Sequence, residues 1–139
     1  MPSFGAKSRE RLATCHAQLQ DVCNEAIKHF DFSVTCGTRD KSAQNQAFAQ
    51  GKSQKRWPDS KHNSMPSLAV DVVPWDSINR RALWGASNYE MIQIGRLVQV
   101  MLDAAVTVGV TIEAGGDWAR FNDPFHFQLT NTPATIPNT

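Results

Sequence analysis

Apolar residues recur at three- and four-residue steps over residues 8–29: Leu12, Cys15, Leu19, Val22, Cys23, Ala26 and Ile27. That period predicts one amphipathic helix, with Ser8 placed to cap its start. Residues 32–36 (Phe-Ser-Val-Thr-Cys) read as a short strand ended by Gly37. Residues 41–50 predict a second helix, stopped by Gly51. Residues 52–66, which include Pro58 and Pro66, read as a loop. Residues 68–73 (Leu-Ala-Val-Asp-Val-Val) predict a strand that ends at Pro74. The longest helix is expected over residues 87–108. Met91, Ile94, Leu97, Val98, Met101, Leu102 and Ala105 form its buried side, and Gly109 closes it. Residues 110–112 are another strand, Gly115-Gly116 a turn, and residues 126–129 the last strand. The Pro- and Thr-rich tail beyond is expected to be loosely held. Helices and strands mix without a βαβ rhythm. The expected fold is therefore α+β: a small antiparallel sheet packed with about three helices, in one domain over residues 1–139.

Composition narrows the function. A chain of 139 residues, 41% hydrophobic and 19% charged, can bury an ordinary core. With 14 Lys+Arg against 13 Asp+Glu, bulk charge gives no reason to expect nucleic acid or a membrane surface. No signal-peptide apolar region follows the first residues, where Lys7, Arg9 and Glu10 come early. No apolar run is read as reaching the roughly 18 residues of a membrane span. Synthesis in a reducing cytoplasm is expected, so that action outside it would need a separate means of release. The three cysteines, Cys15, Cys23 and Cys36, lack zinc-finger spacing and read as buried small residues of a reducing compartment.

The candidate chemistry lies in two separated segments. Ser60-Lys61-His62 precedes Asp71 by a short loop, and Asp123-Pro124-Phe125-His126-Phe127 follows much later. Two imidazoles and one carboxylate make a three-ligand zinc set that leaves a position for water. Asp71 carries independent weight. An acid inside Leu68-Ala69-Val70-Asp71-Val72-Val73 is costly to bury without a cation or donors. In the last segment Phe125 and Phe127 face one side of a strand and His126 the other. Pro124 biases Asp123 towards an extended backbone, so that its carboxylate can hang near a metal as a base. Each residue alone has an ordinary reading as an exposed loop histidine, a strand histidine or a turn aspartate.

The surrounding wording makes the set specific. Its carriers are Cys36-Gly37-Thr38-Arg39, then Gln44 or Gln46, Gly51-Lys52-Ser53 and Arg56-Trp57-Pro58-Asp59-Ser60-Lys61-His62-Asn63. They continue with Pro66-Ser67-Leu68-Ala69-Val70-Asp71-Val72-Val73-Pro74, Gly115-Gly116-Asp117-Trp118 and Asp123-Pro124-Phe125-His126-Phe127. Over roughly residues 30–130 the chain resembles the VanX/VanY-like zinc peptidases. That group includes D-alanyl-D-alanine carboxypeptidases and the L-alanyl-D-glutamate endopeptidases of phage endolysins, and the order and spacing look like the phage branch. The resemblance implies a hedgehog/D,D-peptidase-like fold. It also implies Zn2+ on His62, Asp71 and His126, with Asp123 as catalytic base. By it Arg39 steadies the scissile carbonyl and its oxyanion, and Ser60 opens the metal motif. Two departures stand out. His62 and Asp71 are nine residues apart where many relatives have seven, and Ala114 stands where relatives often have an aromatic.

The resulting expectation is a monomeric zinc endopeptidase that cuts L-Ala–D-Glu in peptidoglycan stem peptides, without nucleic-acid binding or membrane insertion. The alternatives are a D-alanyl-D-alanine carboxypeptidase and a catalytically silent zinc-binding cell-wall module. Glu113 reads as structural or rim-exposed. Asp117 and the Gly115-Gly116 turn read as orienting a ligand. The basic run Lys52-Ser53-Gln54-Lys55-Arg56-Trp57 reads as a solvated loop, with docking to an anionic cell-wall polymer as its functional alternative. Cys36 reads as buried rather than as a thiol nucleophile.

Overall fold

The computed structural model describes residues 2–117 and 122–137. The readings placed on the Asp117 side chain and on Trp118 fall outside the described residues. Four helices and five strands follow in the order α1 (Ala6–Ala13), α2 (Ala17–Ala26), β1 (Phe32–Cys36), α3 (Lys41–Ala49), β2 (Ala69–Asp76), β3 (Arg81–Ala82), α4 (Asn88–Val108), β4 (Ile112–Ala114) and β5 (His126–Leu129). Short 3-10 turns cover Lys61–Asn63 and Gly115–Asp117. The sheet runs β1-β2-β5-β4, with β3 on the far end of β2, and every pairing is antiparallel. The α+β expectation holds, with four helices rather than about three.

The extra helix comes from a break at residues 14–16. Cys15 bridges Ser67: His16 N–H donates to the Ser67 carbonyl and Ser67 N–H to the Thr14 carbonyl, both at 2.8 Å. This pairing takes the chain out of helical geometry although the apolar period continues through it. His16 then caps α2, its Nδ1 accepting from Gln18 N–H at 3.1 Å. Ser8 is not a cap. It is buried inside α1, and its Oγ accepts from Val34 N–H at 3.0 Å.

One face of the sheet presents Val34, Val70, Val72, Phe127 and Leu129 to Leu19, Val22 and Cys23 of α2 and to Leu97, Met101 and Ala105 of α4. Each such large side chain contributes about 1.5–3 kcal/mol by leaving water. β2 does not end at Pro74. Pro74 pairs with Phe32, and the strand runs on to meet β3 at Trp75 and Asp76. α4 is 21 residues long with mean hydropathy 1.4, so by length and composition it could cross a membrane, contrary to the sequence expectation. Here it lays Ile94, Leu97, Met101, Ala104 and Ala105 on the core, while Met91, expected to be buried, is exposed. The tail is also tied down: Met65 N–H donates to the Thr135 carbonyl at 2.8 Å, and Thr135 N–H to Ser64 Oγ at 2.9 Å.

Candidate metal centre

Strand register assembles most of the site. Cys36 pairs with Asp71, and Asp71 with His126, so the three form a row across β1, β2 and β5. Alternation along β2 turns Val70 and Val72 into the core and Asp71 to the other side of the sheet. His62 is brought over this row by the turn Lys61–Asn63. Ser60 caps that turn, its Oγ accepting from His62 N–H at 3.2 Å while Asn63 Oδ1 accepts from Ser60 N–H at 3.1 Å. The nine-residue separation of His62 and Asp71 is taken up by a chain pinned from Lys61 to Leu68 and from Thr14 to Ser67.

Both histidines converge on one oxygen. His62 Nε2 lies 3.2 Å and His126 Nδ1 3.1 Å from Asp71 Oδ1. The outer nitrogens are committed elsewhere. His62 Nδ1 is 2.7 Å from the Gly37 carbonyl, and His126 Nε2 is 2.8 Å from Gln128 Oε1. A carbonyl oxygen only accepts, so each outer nitrogen carries the proton. In a neutral ring the inner nitrogen then presents a lone pair. Two imidazole nitrogens turned on one carboxylate oxygen call for positive charge among them, either a proton on an imidazole or a bound cation. Among the described residues, two sets of donor atoms that share Asp71 each lie within 4.8 Å of one another and could hold a cation: Cys36, His62 and Asp71, and Asp71, Asp123 and His126.

Backbone close approach holds these pieces in place. A Cβ on Gly115 would meet the Asp123 carbonyl at 2.5 Å and His126 Cβ at 3.1 Å. Asp123 N–H donates to the Gly115 carbonyl at 3.0 Å. A Cβ on Gly37 would lie 2.2 Å from Thr14 Oγ1 and 2.4 Å from the Arg11 carbonyl. Only glycine lets that segment approach closely enough to offer its carbonyl to His62.

The electrostatics follow the geometry. Burial pulls His62 down, but the Asp71 carboxylate reverses this and pushes it up to about 10. Burial raises Asp71, yet the charge of His62 and the hydrogen bonds from both imidazoles hold it well below the usual carboxylate range. Asp123 is raised, first by burial and then by the Asp71 charge. With metal stripped by chelator, the sign of the pH dependence is fixed. The His62 contribution to stability is complete below its ordinary value of 6.5 and is lost as pH rises through about 10. The Asp71 contribution is present above its ordinary 3.8 and is lost as pH falls below that. Chelated protein should be most resistant to urea between about pH 4 and 6.5 and weaken on both sides. Denaturation midpoints across pH check this.

The site opens into a cleft of about 380 Å³ lined by Arg39, the loop 52–55, Glu113, Asp123 and Gln128 as well as His62, Asp71 and His126. Arg39 is anchored at its backbone, where its N–H donates to the His62 carbonyl at 2.7 Å. Its guanidinium lies 3.6 Å from Asp71 Oδ2 and donates to Gln44 Oε1 at 2.9 Å.

A family model described as phage L-alanyl-D-glutamate peptidase matches residues 2–129. The chain belongs to this family. Among solved structures, the L-Ala D-Glu endopeptidase ChiX of Serratia marcescens matches with a TM-score of 0.72 and 30% identity, over 92% of this chain and 90% of that one. A comparison with curated protein sequences gives no match.

In this phage-type peptidase, sequence reasoning missed two supports of the centre. Gln128 accepts from His126 and donates to Glu113 Oε2 at 3.5 Å, and Glu113 and Gln128 are cross-strand partners. Glu113 is exposed, lines the cleft and meets His126 through Gln128. Gln128 sits two residues beyond His126 on the same strand face, a period-two signal that was available. The Gly37 carbonyl left no side-chain signal. Replacing Gln128 with Leu should weaken metal affinity roughly 10–100-fold, measurable by competition with a chelating dye. The peptidase also departs from expectation at Cys36, which is half-buried. Burial raises its thiol, but the neighbouring His62 and Arg39 bring it below its ordinary value. Its Sγ lies 3.8 Å from His62 Nδ1 and within 4.8 Å of a donor atom of both His62 and Asp71, which makes it a candidate ligand that the sequence did not suggest. Cys15 and Cys23 are buried as expected, with the Cys15 thiol pushed up to about 12 by burial.

Proposed function

We propose that the chain is a zinc-dependent L-alanyl-D-glutamate endopeptidase of the phage endolysin type, in which one catalytic domain acts on the cell wall after release from the host cytoplasm. Family membership and the match to ChiX make it a peptidoglycan-cleaving endopeptidase. The observation that carries the metal reading is the commitment of both outer imidazole nitrogens to carbonyl oxygens, which turns both inner nitrogens onto Asp71 Oδ1.

On this reading His62, Asp71 and His126 hold Zn2+. When bound, the ion supplies Lewis acidity towards water and the scissile carbonyl. The protein's own groups do the rest. Asp123, made more basic by burial and by Asp71, accepts a proton from the attacking water and returns it to the leaving amine. Arg39, held by Gln44 at the cleft wall, faces the negative charge that develops on the carbonyl oxygen. Ser60 fixes the turn that presents His62.

Digestion of purified peptidoglycan tests the reading, with new termini identified by mass spectrometry in the presence and absence of chelator. New N-terminal D-Glu that disappears with chelator is expected. Release of free D-Ala instead, or cleavage indifferent to chelator, would overturn it.

A further inference from the structure

The cleft carries more positive charge than its chemistry uses. Of the cations that line it, Arg39 is engaged by Asp71 and Gln44, and Lys61 Nζ donates to the Leu129 carbonyl. Lys52 and Lys55 are different. Both line the cleft, both are exposed, and among the described residues neither ammonium has a carboxylate within ion-pair distance.

Their backbone is nevertheless fixed. Lys52 N–H and Ser53 N–H both donate to the Ala47 carbonyl, at 2.9 and 3.2 Å. Gln44, fully buried, donates from Nε2 to Ser53 Oγ at 3.0 Å and to the Lys55 carbonyl at 2.6 Å. The same side chain accepts from Arg39 and from Asn63 through Oε1. One buried amide thus ties the loop carrying the two lysines to the arginine of the site and to the residue after His62. Unpaired lysines on a flexible loop are ordinary. Two on a loop hydrogen-bonded into the frame of a catalytic cleft are arranged for an anion.

Substrate chemistry says which anion, and here the inference rests on the endopeptidase reading above. In a stem peptide the D-Glu residue continues through its γ-carboxyl. Its α-carboxylate is therefore free and sits on the carbon that bears the scissile nitrogen. Further carboxylates of the stem lie beyond it, and the peptide contributes none on the L-Ala side. All the peptide's negative charge is thus on the leaving-amine side of the bond. We infer that Lys52 and Lys55 form the leaving-side subsite and recognise the free α-carboxylate of D-Glu. The loop 52–55 would accordingly discriminate against stems in which that carboxylate is amidated.

The test uses zinc-loaded full-length protein and soluble disaccharide-tripeptides that differ only in a free or amidated D-Glu α-carboxyl. Wild type should cleave the acid form with kcat/KM roughly tenfold or more above the amide, the scale of a charge-assisted contact. The Lys52→Met/Lys55→Met variant should lose that preference through KM on the acid substrate, with kcat little changed. Its rate on the amide should stay near that of wild type, which also shows that the variant is folded. Lys52→Arg/Lys55→Arg should retain the preference. Equal wild-type rates on both substrates, or an undiminished preference in the Met variant, would overturn the inference while leaving the endopeptidase reading intact. Failure of wild type to cut L-Ala–D-Glu in either substrate would overturn both.

Discussion

Asp123→Ala should leave the metal bound at wild-type stoichiometry and lower kcat by about 10²–10⁴-fold, the usual contribution of a positioned general base. The expectation rests on where Asp123 hangs. Its N–H is held by the Gly115 carbonyl, its own carbonyl accepts from His126 N–H at 3.1 Å, and its Oδ1 accepts from Phe125 N–H at 3.3 Å. The carboxylate is therefore set by the backbone of the turn that delivers His126. Removing it leaves both imidazoles against Asp71 Oδ1. Asp123→Asn separates basicity from shape, since the amide keeps an oxygen for Phe125 N–H and cannot take the proton. Both variants should be inactive, with KM little altered and zinc retained by elemental analysis. Near-wild-type turnover in either would remove Asp123 from its proposed role. Loss of zinc from Asp123→Ala would make it a ligand instead.

The residue types gathered around Asp71 were more legible in the sequence than the path of the chain. Asp71 was legible because an acid within an apolar strand demands a positive partner, and that demand is local. His62 and His126 were legible as residue types, but their meeting was not. It depends on the β2–β5 register, which pairs Asp71 with His126 across 55 positions, and no local pattern encodes it. Motif wording supplied that information in place of physics. The helix break at residues 14–16 shows the opposite case. The spacing of Leu12, Cys15 and Leu19 is helical, and only the bridge from Cys15 to Ser67, a tertiary interaction, overrides it. Pro74 misled for a related reason. Proline is a poor interior strand residue, but β2 changes partners beside it, from β1 at Pro74 to β3 at Trp75. Backbone acceptors such as the Gly37 carbonyl leave no trace in side-chain identity. Such groups position a ligand only once the fold exists.

His62→Ala should abolish both metal retention and activity, and heat should show the difference without any substrate. A ligand that binds only the folded state adds about 4 kcal/mol when present at 1,000 times its Kd, equivalent to roughly 10 °C in Tm for a chain of this size. Zinc-loaded wild type should therefore lose about that much on addition of chelator, and His62→Ala should melt at the same temperature with and without it. The variant tests more than a ligand count. His62 is 2% exposed, and it ties three pieces together: the Gly37 carbonyl through Nδ1, Asp71 through Nε2, and the Arg39 backbone through its own carbonyl. Its loss leaves the Asp71 carboxylate half-compensated in a buried setting, so the variant should also melt below chelated wild type, by an amount that shrinks when the pH is lowered and Asp71 can take a proton. His126→Ala gives the necessary contrast. It removes the other nitrogen from Asp71 Oδ1 but leaves the Gly37–His62–Arg39 tie in place. It should forfeit metal as completely as His62→Ala and cost the chelated protein less. A His62→Ala protein that still held stoichiometric zinc, or that kept the chelator-dependent shift, would show that the cation is gathered elsewhere in the cleft.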